Sequence, residues 1–147
     1  MDPFKARAQH GPEFHIQNRW VDFLEAKGWH VERMIGNAFQ SGIPDLYLAH
    51  SKKGSRWVDI KVYGKYSLTK AQRFKWPVWE AVGVGIWIIG AKSPQECTKA
   101  HMIREHDILM NPPNWREFWN SNWDKKPDID AMLDEVEREH AQRGKKR

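Results

Sequence analysis

The spacing of apolar and polar residues along the first half of the chain predicts one helix followed by three short strands. Residues 13–27 repeat apolar side chains every three or four positions, which is typical of an amphipathic helix. The next three segments are short, rich in β-forming residues and bounded by turn residues, as strands are; they are residues 29–35, 45–49 and 56–63. We therefore expect a helix and an antiparallel meander in this half.

The second half begins with a segment that predicts a helical crossover back to the same sheet. Thr69 is suited to cap a helix that runs to about residue 82, although Pro77 is expected to kink this helix or end it early. The apolar stripe of the helix is predicted to consist of Phe74, Val78 and either Ala81 or Val82. Residues 84–89 are almost entirely apolar, which predicts a strand buried on both faces and parallel to the strand at 56–63.

The last third of the sequence predicts further helices. Residues 93–96 form a capping box with proline at the first helical position, so a third helix is expected to reach about His106. Residues 128–142 predict one more amphipathic helix. Between them, tryptophan recurs every four positions, which indicates a short helix whose rings pack in the core, at a dimer contact or on nucleic-acid bases; these residues are Trp115, Trp119 and Trp123.

The predicted central strand carries a carboxylate and a lysine on one face. Asp59 and Lys61 are two residues apart, so the pleat turns both the same way, while the residues between and beside them form an apolar face. Asp45 opens the neighbouring strand and brings in a second carboxylate. Two carboxylates and the carbonyl of Ile60 suit Mg²⁺, and Lys61 would neutralise charge that develops on a phosphate. The pattern favours a metal-dependent phosphodiesterase site.

Each of these residues also has a plain structural interpretation. Asp45 follows a proline and suits a turn, and Asp59 with Lys61 would form a surface ion pair that contributes little stability. Glu13, in the first turn of the first helix, would favour the helix dipole as a solvated acid. The succession of Gly-x-Pro-Asp, Asp-x-Lys and Leu-Thr-x-x-Gln is more specific than any one of its residues.

Composition narrows the class of protein. The 147 residues include nine tryptophans and six phenylalanines, which fits one domain with a real core. No apolar run approaches the roughly 20 residues that span a bilayer, and residues 1–10 show no hydrophobic signal segment, so no membrane association and a cytoplasmic location are expected. The one cysteine, Cys97, indicates a reducing compartment, and with only His101 nearby it does not predict a zinc site. The net charge of +5 permits an anionic partner.

Taken in chain order, the motifs resemble those of the PD-(D/E)xK nucleases, and within that superfamily the VRR-Nuc group, relatives of Holliday-junction resolvases that phages often encode. The resemblance covers residues 13–91, and the segment from about residue 110 onward has no counterpart. The matching residues are Glu13 and Gln17, Gly42-Ile43-Pro44-Asp45, Asp59-Ile60-Lys61 and Leu68-Thr69-Lys70-Ala71-Gln72. The group usually has glutamate where this chain has Asp59, whose shorter side chain would draw the metal closer to the strand.

The pattern and the resemblance together imply a fold and a set of residue roles. The expected class is α/β, with a small mixed β-sheet of about four strands flanked by helices. Residues 1–110 would form a restriction-endonuclease-like core, and residues 111–147 a helical C-terminal extension packed on the core or at a dimer interface. Lys61 would be the catalytic lysine, and Gln72 would orient that lysine or the DNA backbone. The residues that would hold Mg²⁺, or Mn²⁺ in its place, and so take part in catalysis are Glu13, Asp45, Asp59 and the carbonyl of Ile60.

The implied activity is Mg²⁺-dependent hydrolysis of phosphodiester bonds in DNA, with structured or branched DNA such as four-way junctions as the substrate by resemblance alone. Resolving a junction needs two symmetric cuts, so a homodimer is expected, in the host cytoplasm if the chain is phage-encoded. Two alternatives stay open: a sequence-specific homing or restriction-type endonuclease on the same site, and a non-catalytic DNA-binding module with a decayed site. Basic residues that flank the site, and that would hold DNA through counterion release unless they are simply solvated, are Lys52, Lys53, Arg56, Lys65, Lys70 and Arg73.

Overall fold

The chain folds around a four-stranded mixed sheet with helices on both faces, which confirms the predicted α/β class. The computed structural model describes residues 11–34, 41–64, 66, 68–119, 134, 137 and 138. The regular elements in chain order are α1 (Pro12–Ala26), β1 (His30–Arg33), β2 (Leu46–His50), β3 (Gly54–Val62), α2 (Lys70–Ala81), β4 (Ile86–Ala91), α3 (Lys99–His106) and α4 (Trp115–Phe118). Short 3-10 turns lie at Pro94–Glu96 and Asp107–Met110.

The strand order is β1-β2-β3-β4, and the first three strands form an antiparallel meander. Helix α2 then crosses over the sheet and returns the chain as β4, which pairs parallel to β3 as predicted. In this pairing Lys61 lies beside Gly90. A β-carbon on Gly90 would lie 1.9 Å from the carbonyl oxygen of Lys61, so only glycine allows the two strands to approach here.

The two faces of the sheet support separate cores. Helix α1 covers one face, where Ile16, Trp20 and Leu24 pack against Val58 and Ile60, and this is the apolar face predicted for the central strand. The second core lies on the opposite face, beneath α2 and α4; its fully buried members include Trp76, Ile86, Ile88, Trp115 and Trp119. Core packing is therefore the observed role of the first two tryptophans of the predicted repeat, whereas Trp123 lies outside the described residues.

Helix α2 buries a different face from the predicted one. Thr69 caps it as expected, with its side-chain oxygen accepting from the backbone N–H of Gln72. The predicted stripe is wrong, because Phe74 is 40% exposed and Val82 is 73% exposed, while Gln72, Trp76 and Pro77 are buried. Pro77 also does not end the helix, since its ring packs into the buried face and that burial offsets the lost hydrogen bond.

The helix expected to start at residues 93–96 is divided in two. Half of the predicted capping box is present, since the Ser93 side chain accepts from the N–H of Glu96, whereas the Glu96 carboxylate accepts from the N–H of Lys92. This cap starts only one 3-10 turn. A second cap, Thr98, accepts from the N–H of His101 and starts α3, which ends at His106 as predicted. Between the two caps the thiol of Cys97 is buried, and this burial raises its pKa.

Two predictions concern segments near or beyond the last described residues. The proposed boundary between residues 1–110 and 111–147 stays a prediction, as does the helix at 128–142, most of which lies outside the described residues. Within the ranges that are described, no helix combines the length and the apolar character required to cross a membrane.

Candidate active site

Asp59 and Lys61 form a buried ion pair on β3. The Nζ atom of Lys61 lies 2.9 Å from Oδ2 of Asp59. Asp59 is 1% exposed and Lys61 is 7% exposed, because α2 lies over this part of the strand. The pair is therefore buried, in contrast to the solvent-exposed ion pair that the sequence also allowed. A buried pair of charges needs further polar partners to offset the loss of hydration.

Asp45 supplies those partners from the start of β2. Its Oδ2 accepts from the backbone N–H of Ile60 at 2.8 Å, and its own N–H donates to Oδ1 of Asp59 at 3.3 Å. These reciprocal bonds fix the loop that precedes β2 against β3, 14 or 15 residues later in the chain. The two carboxyl groups that the sequence predicted to converge are thus adjacent.

The crowding of acids changes the titration of Asp45. Burial, and after it the negative charge of Asp59, hold the pKa of Asp45 well above its ordinary value, although the N–H of Ile60 opposes the shift. Glu13 raises the same pKa through its charge. Glu13 itself is exposed in the first turn of α1, so it belongs to the solvent edge of this acidic group.

Gln72 connects α2 to the ion pair. Its Oε1 atom accepts from Nζ of Lys61 at 3.1 Å and from the backbone N–H of Thr69 at 3.1 Å, while Nε2 donates to Oδ1 of Asp59 at 3.5 Å. The amide completes the capping box of α2 and contacts both members of the ion pair. Of the two roles suggested for Gln72, these contacts favour orientation of the lysine.

The donor set fits a small divalent cation that keeps several waters. Oδ2 of Asp59 is buried, and its neighbour is the ammonium group of Lys61, 2.9 Å away. The carbonyl of Ile60 lies on the Asp45 side of β3, because the N–H and C=O of one strand residue point the same way. The described residues contain no group of three or more His, Cys, Asp or Glu side chains in metal-binding arrangement. Mg²⁺ is usually coordinated by one or two protein carboxylates, with water and phosphate oxygens as its remaining ligands.

Two of the six predicted DNA contacts lie beside this acid–lysine cluster. Lys70 and Arg73 are on the first turn of α2, on either side of Gln72 along the chain. Lys70 is exposed and Arg73 is half-buried. Both basic residues thus lie on the same helical turn as the amide that contacts the ion pair.

Three of the other four lie away from the cluster. Arg56 faces the α1 side of the sheet, where its Nε donates to the carbonyl of Leu109 at 2.9 Å and its guanidinium lies 4.9 Å from the ring centre of Trp87. Lys52 and Lys53 occupy the exposed turn before β3, on the order of 20 Å along the strand from the ion pair. Lys65 lies outside the described residues.

Sequence reasoning missed Trp76, which is fully buried beside the lysine. Nζ of Lys61 lies 5.7 Å from the centre of its ring, and its Nε1–H donates to the carbonyl of Gly42 at 2.7 Å. The available signal was its spacing, because Trp76 is four residues after Gln72 and therefore on the same face of the predicted helix.

A groove of about 680 Å³ lies apart from the ion pair, at the end of β3 and beside α4. Aromatic side chains line one part of it, including Tyr63 and Phe118, and carboxylates line another, Glu105 and Glu117. The hydroxyl of Tyr63 donates to Glu105 at 2.9 Å. Because carboxylates repel phosphate, this groove is not suited to bind the backbone of a nucleic acid.

No family model, curated protein or solved structure matches this chain. A function can therefore be supported only by the arrangement of its own residues and by the motifs that the sequence carries. In that arrangement, Asp45, Asp59, Lys61 and Gln72 converge on one point between β2, β3 and the start of α2.

Proposed function

We propose that the chain is a Mg²⁺-dependent endonuclease that hydrolyses phosphodiester bonds in DNA. The observation that carries the proposal is the convergence of Asp45 and Asp59 on one point with Lys61 alongside, within hydrogen-bond and ion-pair distance. Buried acid pairs with a lysine are expensive to maintain in a protein that only needs to fold. A site that holds a cation and a phosphate accounts for all three residues.

Asp45 and Asp59 would hold the cation, together with the carbonyl of Ile60. The bound cation supplies two things: it lowers the pKa of a coordinated water and it polarises a phosphoryl oxygen. Lys61 would place its ammonium group against the phosphate and stabilise the charge that develops as the bond breaks. Glu13, exposed and able to act on Asp45 by its charge, would contact the cation through water.

Gln72 would keep Lys61 in position through the 3.1 Å hydrogen bond to its ammonium group. Lys70 and Arg73, on the same turn of α2, would bind the DNA backbone and release its counterions. The net charge of +5 agrees with a polyanionic partner. Branched DNA as the preferred substrate, and a homodimer that makes two symmetric cuts, follow from the sequence resemblance and remain part of the proposal.

The decisive experiment is cleavage of end-labelled DNAs by the wild-type protein and three variants. The substrates are a four-way junction, a linear duplex and a single strand, each with Mg²⁺, with Mn²⁺ or with EDTA. The variants are Asp59→Asn, Lys61→Ala and, as the matched control, Asp22→Asn, which changes an exposed aspartate on α1. We expect cleavage only with a divalent cation, a loss of at least about 100-fold for the first two variants, and wild-type rates for the third.

The same experiment separates the alternatives. Cleavage of the junction ahead of the duplex supports a resolvase-like enzyme, whereas cleavage at one sequence in linear duplex supports a homing or restriction-type enzyme. Binding of DNA without cleavage under any condition would support a non-catalytic module. Wild-type rates for Asp59→Asn and Lys61→Ala would overturn the proposal outright. Sedimentation analysis of the wild-type protein tests the homodimer separately.

A further inference from the structure

Trp76 contacts both Lys61 and the loop that precedes Asp45, without carrying any charge of its own. We propose that Trp76 is a positioning residue, which aligns Lys61 with the loop that presents Asp45. This inference rests on the proposed nuclease function and adds to it a residue that the motif does not contain. It is carried by two contacts of one indole ring, one with its face and one through its N–H.

The first contact is with the lysine. Nζ of Lys61 lies 5.7 Å from the centre of the Trp76 ring, which is within the range at which a cation is attracted to an aromatic face. Trp76 is fully buried, so no water competes for the ring. Gln72, one helical turn earlier, binds the same ammonium group at 3.1 Å. Helix α2 therefore holds the end of the lysine by an amide and by an aromatic ring.

The second contact is with the loop that leads into β2. The Nε1–H of Trp76 donates to the carbonyl of Gly42 at 2.7 Å. Gly42 has a φ of 84°, and a β-carbon there would lie 2.7 Å from the carbonyl oxygen of Ala71, so the loop rests directly on the first turn of α2. Asp45 follows three residues later. Movement of the indole would thus shift the lysine and the metal-binding carboxylate relative to each other.

A matched control exists in the same core. Trp115 is also fully buried, and its ring lies 6.3 Å from that of Trp76, but its indole nitrogen has no hydrogen-bond partner among the described residues. Trp115→Phe and Trp76→Phe therefore remove similar buried volume from one cluster. Only Trp76→Phe also removes a hydrogen bond to the loop that precedes β2. Trp76→Leu removes the aromatic face as well.

The experiment measures kcat and KM for these variants on whichever DNA the wild-type protein cleaves, below the unfolding temperature of each. We expect kcat to fall at least tenfold in Trp76→Phe and further in Trp76→Leu, with KM within twofold of wild type, while Trp115→Phe stays within twofold in both constants. Equal kcat values for Trp76→Phe and Trp115→Phe would overturn the inference, because loss of buried volume alone would then explain the effect.

A second measurement does not depend on cleavage. The Cε protons of Lys61 should show an upfield ring-current shift in the NMR spectrum, which is lost in Trp76→Leu and kept in Trp115→Phe. If the wild-type protein cleaves no DNA, the proposed function fails, and this shift still decides whether Trp76 holds the lysine; an unchanged shift in Trp76→Leu excludes it.

Should Trp76→Phe not fold, a fluorinated tryptophan at position 76 retains shape and N–H and weakens only the attraction for the cation. The expected result is then a lower kcat, and an unchanged kcat overturns the inference.

Discussion

Oε1 of Gln72 lies 3.1 Å from the ammonium nitrogen of Lys61 and 3.1 Å from the backbone nitrogen of Thr69. One amide oxygen thus serves the N-terminus of α2 and the buried lysine of β3. The position of the lysine is therefore tied to the first turn of the helix.

Replacing Gln72 should separate the stability of the helix from the placement of the lysine. Gln72→Leu leaves the buried ammonium group of Lys61 and the N–H of Thr69 without their acceptor, so we expect the free energy of unfolding to fall by about 1–3 kcal/mol and the cleavage rate to fall as well. The control is Thr98→Val, which removes the cap of α3 away from the site and should lower stability by about 1 kcal/mol with wild-type cleavage. Urea unfolding and cleavage below the midpoint measure both effects; wild-type cleavage by Gln72→Leu would contradict the assigned role.

Removing one acid should stabilise the protein when no cation is present. Asp45→Asn keeps an oxygen for the N–H of Ile60 but removes a charge that Asp59 repels, so in EDTA we expect the free energy of unfolding to rise by about 1 kcal/mol. In Mg²⁺ we expect the wild-type protein to be more stable than Asp45→Asn. A cation that binds only the folded protein raises its melting temperature, and the variant lacks one of the proposed ligands. Thermal unfolding with EDTA and with increasing Mg²⁺ tests this, and equal stabilisation of wild type and Asp45→Asn by Mg²⁺ would rule out Asp45 as a ligand.

His106 should make the fold sensitive to mild acid. It is buried, and its Nε2 accepts from the indole N–H of Trp29 at 3.0 Å, which requires a neutral ring. Burial, with the nearby charges of Lys53 and Lys27 adding to it, lowers the pKa of His106 below its ordinary value. The unfolded chain therefore binds a proton that the folded chain does not, and the free energy of unfolding should decrease as the pH falls below about 6.5.

Urea midpoints measured between about pH 8 and about pH 5.5 would show this loss of stability. His106→Gln retains an acceptor for Trp29 and should make the decrease shallower, whereas His30→Gln, on an exposed strand position, should leave the profile unchanged. An equally steep decrease in His106→Gln would show that other groups cause it.

Two glycines offer a comparison between steric and conformational effects. Gly90→Ala would place a methyl group 1.9 Å from the carbonyl oxygen of Lys61, so β3 and β4 must separate beside the site, and we expect a loss of about 3 kcal/mol or more. Gly83→Ala, at a φ of 92° in open space, meets no atom within 4 Å and should lose about 1–2 kcal/mol. Chemical unfolding compares the two, and similar losses would contradict the close approach at Gly90.

The features that sequence alone could predict follow from short-range periodicity. The alternation of a strand required Asp59 and Lys61 to share a face, and the structure has them 2.9 Å apart. The apolar run at residues 84–89 with a helix before it required a parallel partner for the central strand, and β4 is that partner. The cap at Thr69 needed only its own side chain and the residue three positions later.

The features that sequence could not predict depend on contacts between distant segments. Apolar character alone predicts that Phe74 and Val82 are buried and that Gln72 is exposed. The structure has the reverse, because the Gln72 amide is hydrogen-bonded to the buried lysine on β3. The bond between Trp76 and Gly42 joins residues 34 positions apart and has no local signature. Arg56 is a different case. It is three residues before Asp59 on the same strand, so strand alternation alone predicts that the two side chains point to opposite faces of the sheet.

The enclosure of Cys97 has a practical use. The chain has one cysteine, and its thiol is 5% exposed with a raised pKa, so little of it is present as the reactive thiolate at neutral pH. A cysteine introduced at an exposed position such as Lys52 would react with a maleimide dye well before the native thiol does. Fluorescent labelling at one chosen point is therefore achievable without altering any natural residue of the interior, and energy transfer to dyes on a DNA duplex or junction could follow how each is bent.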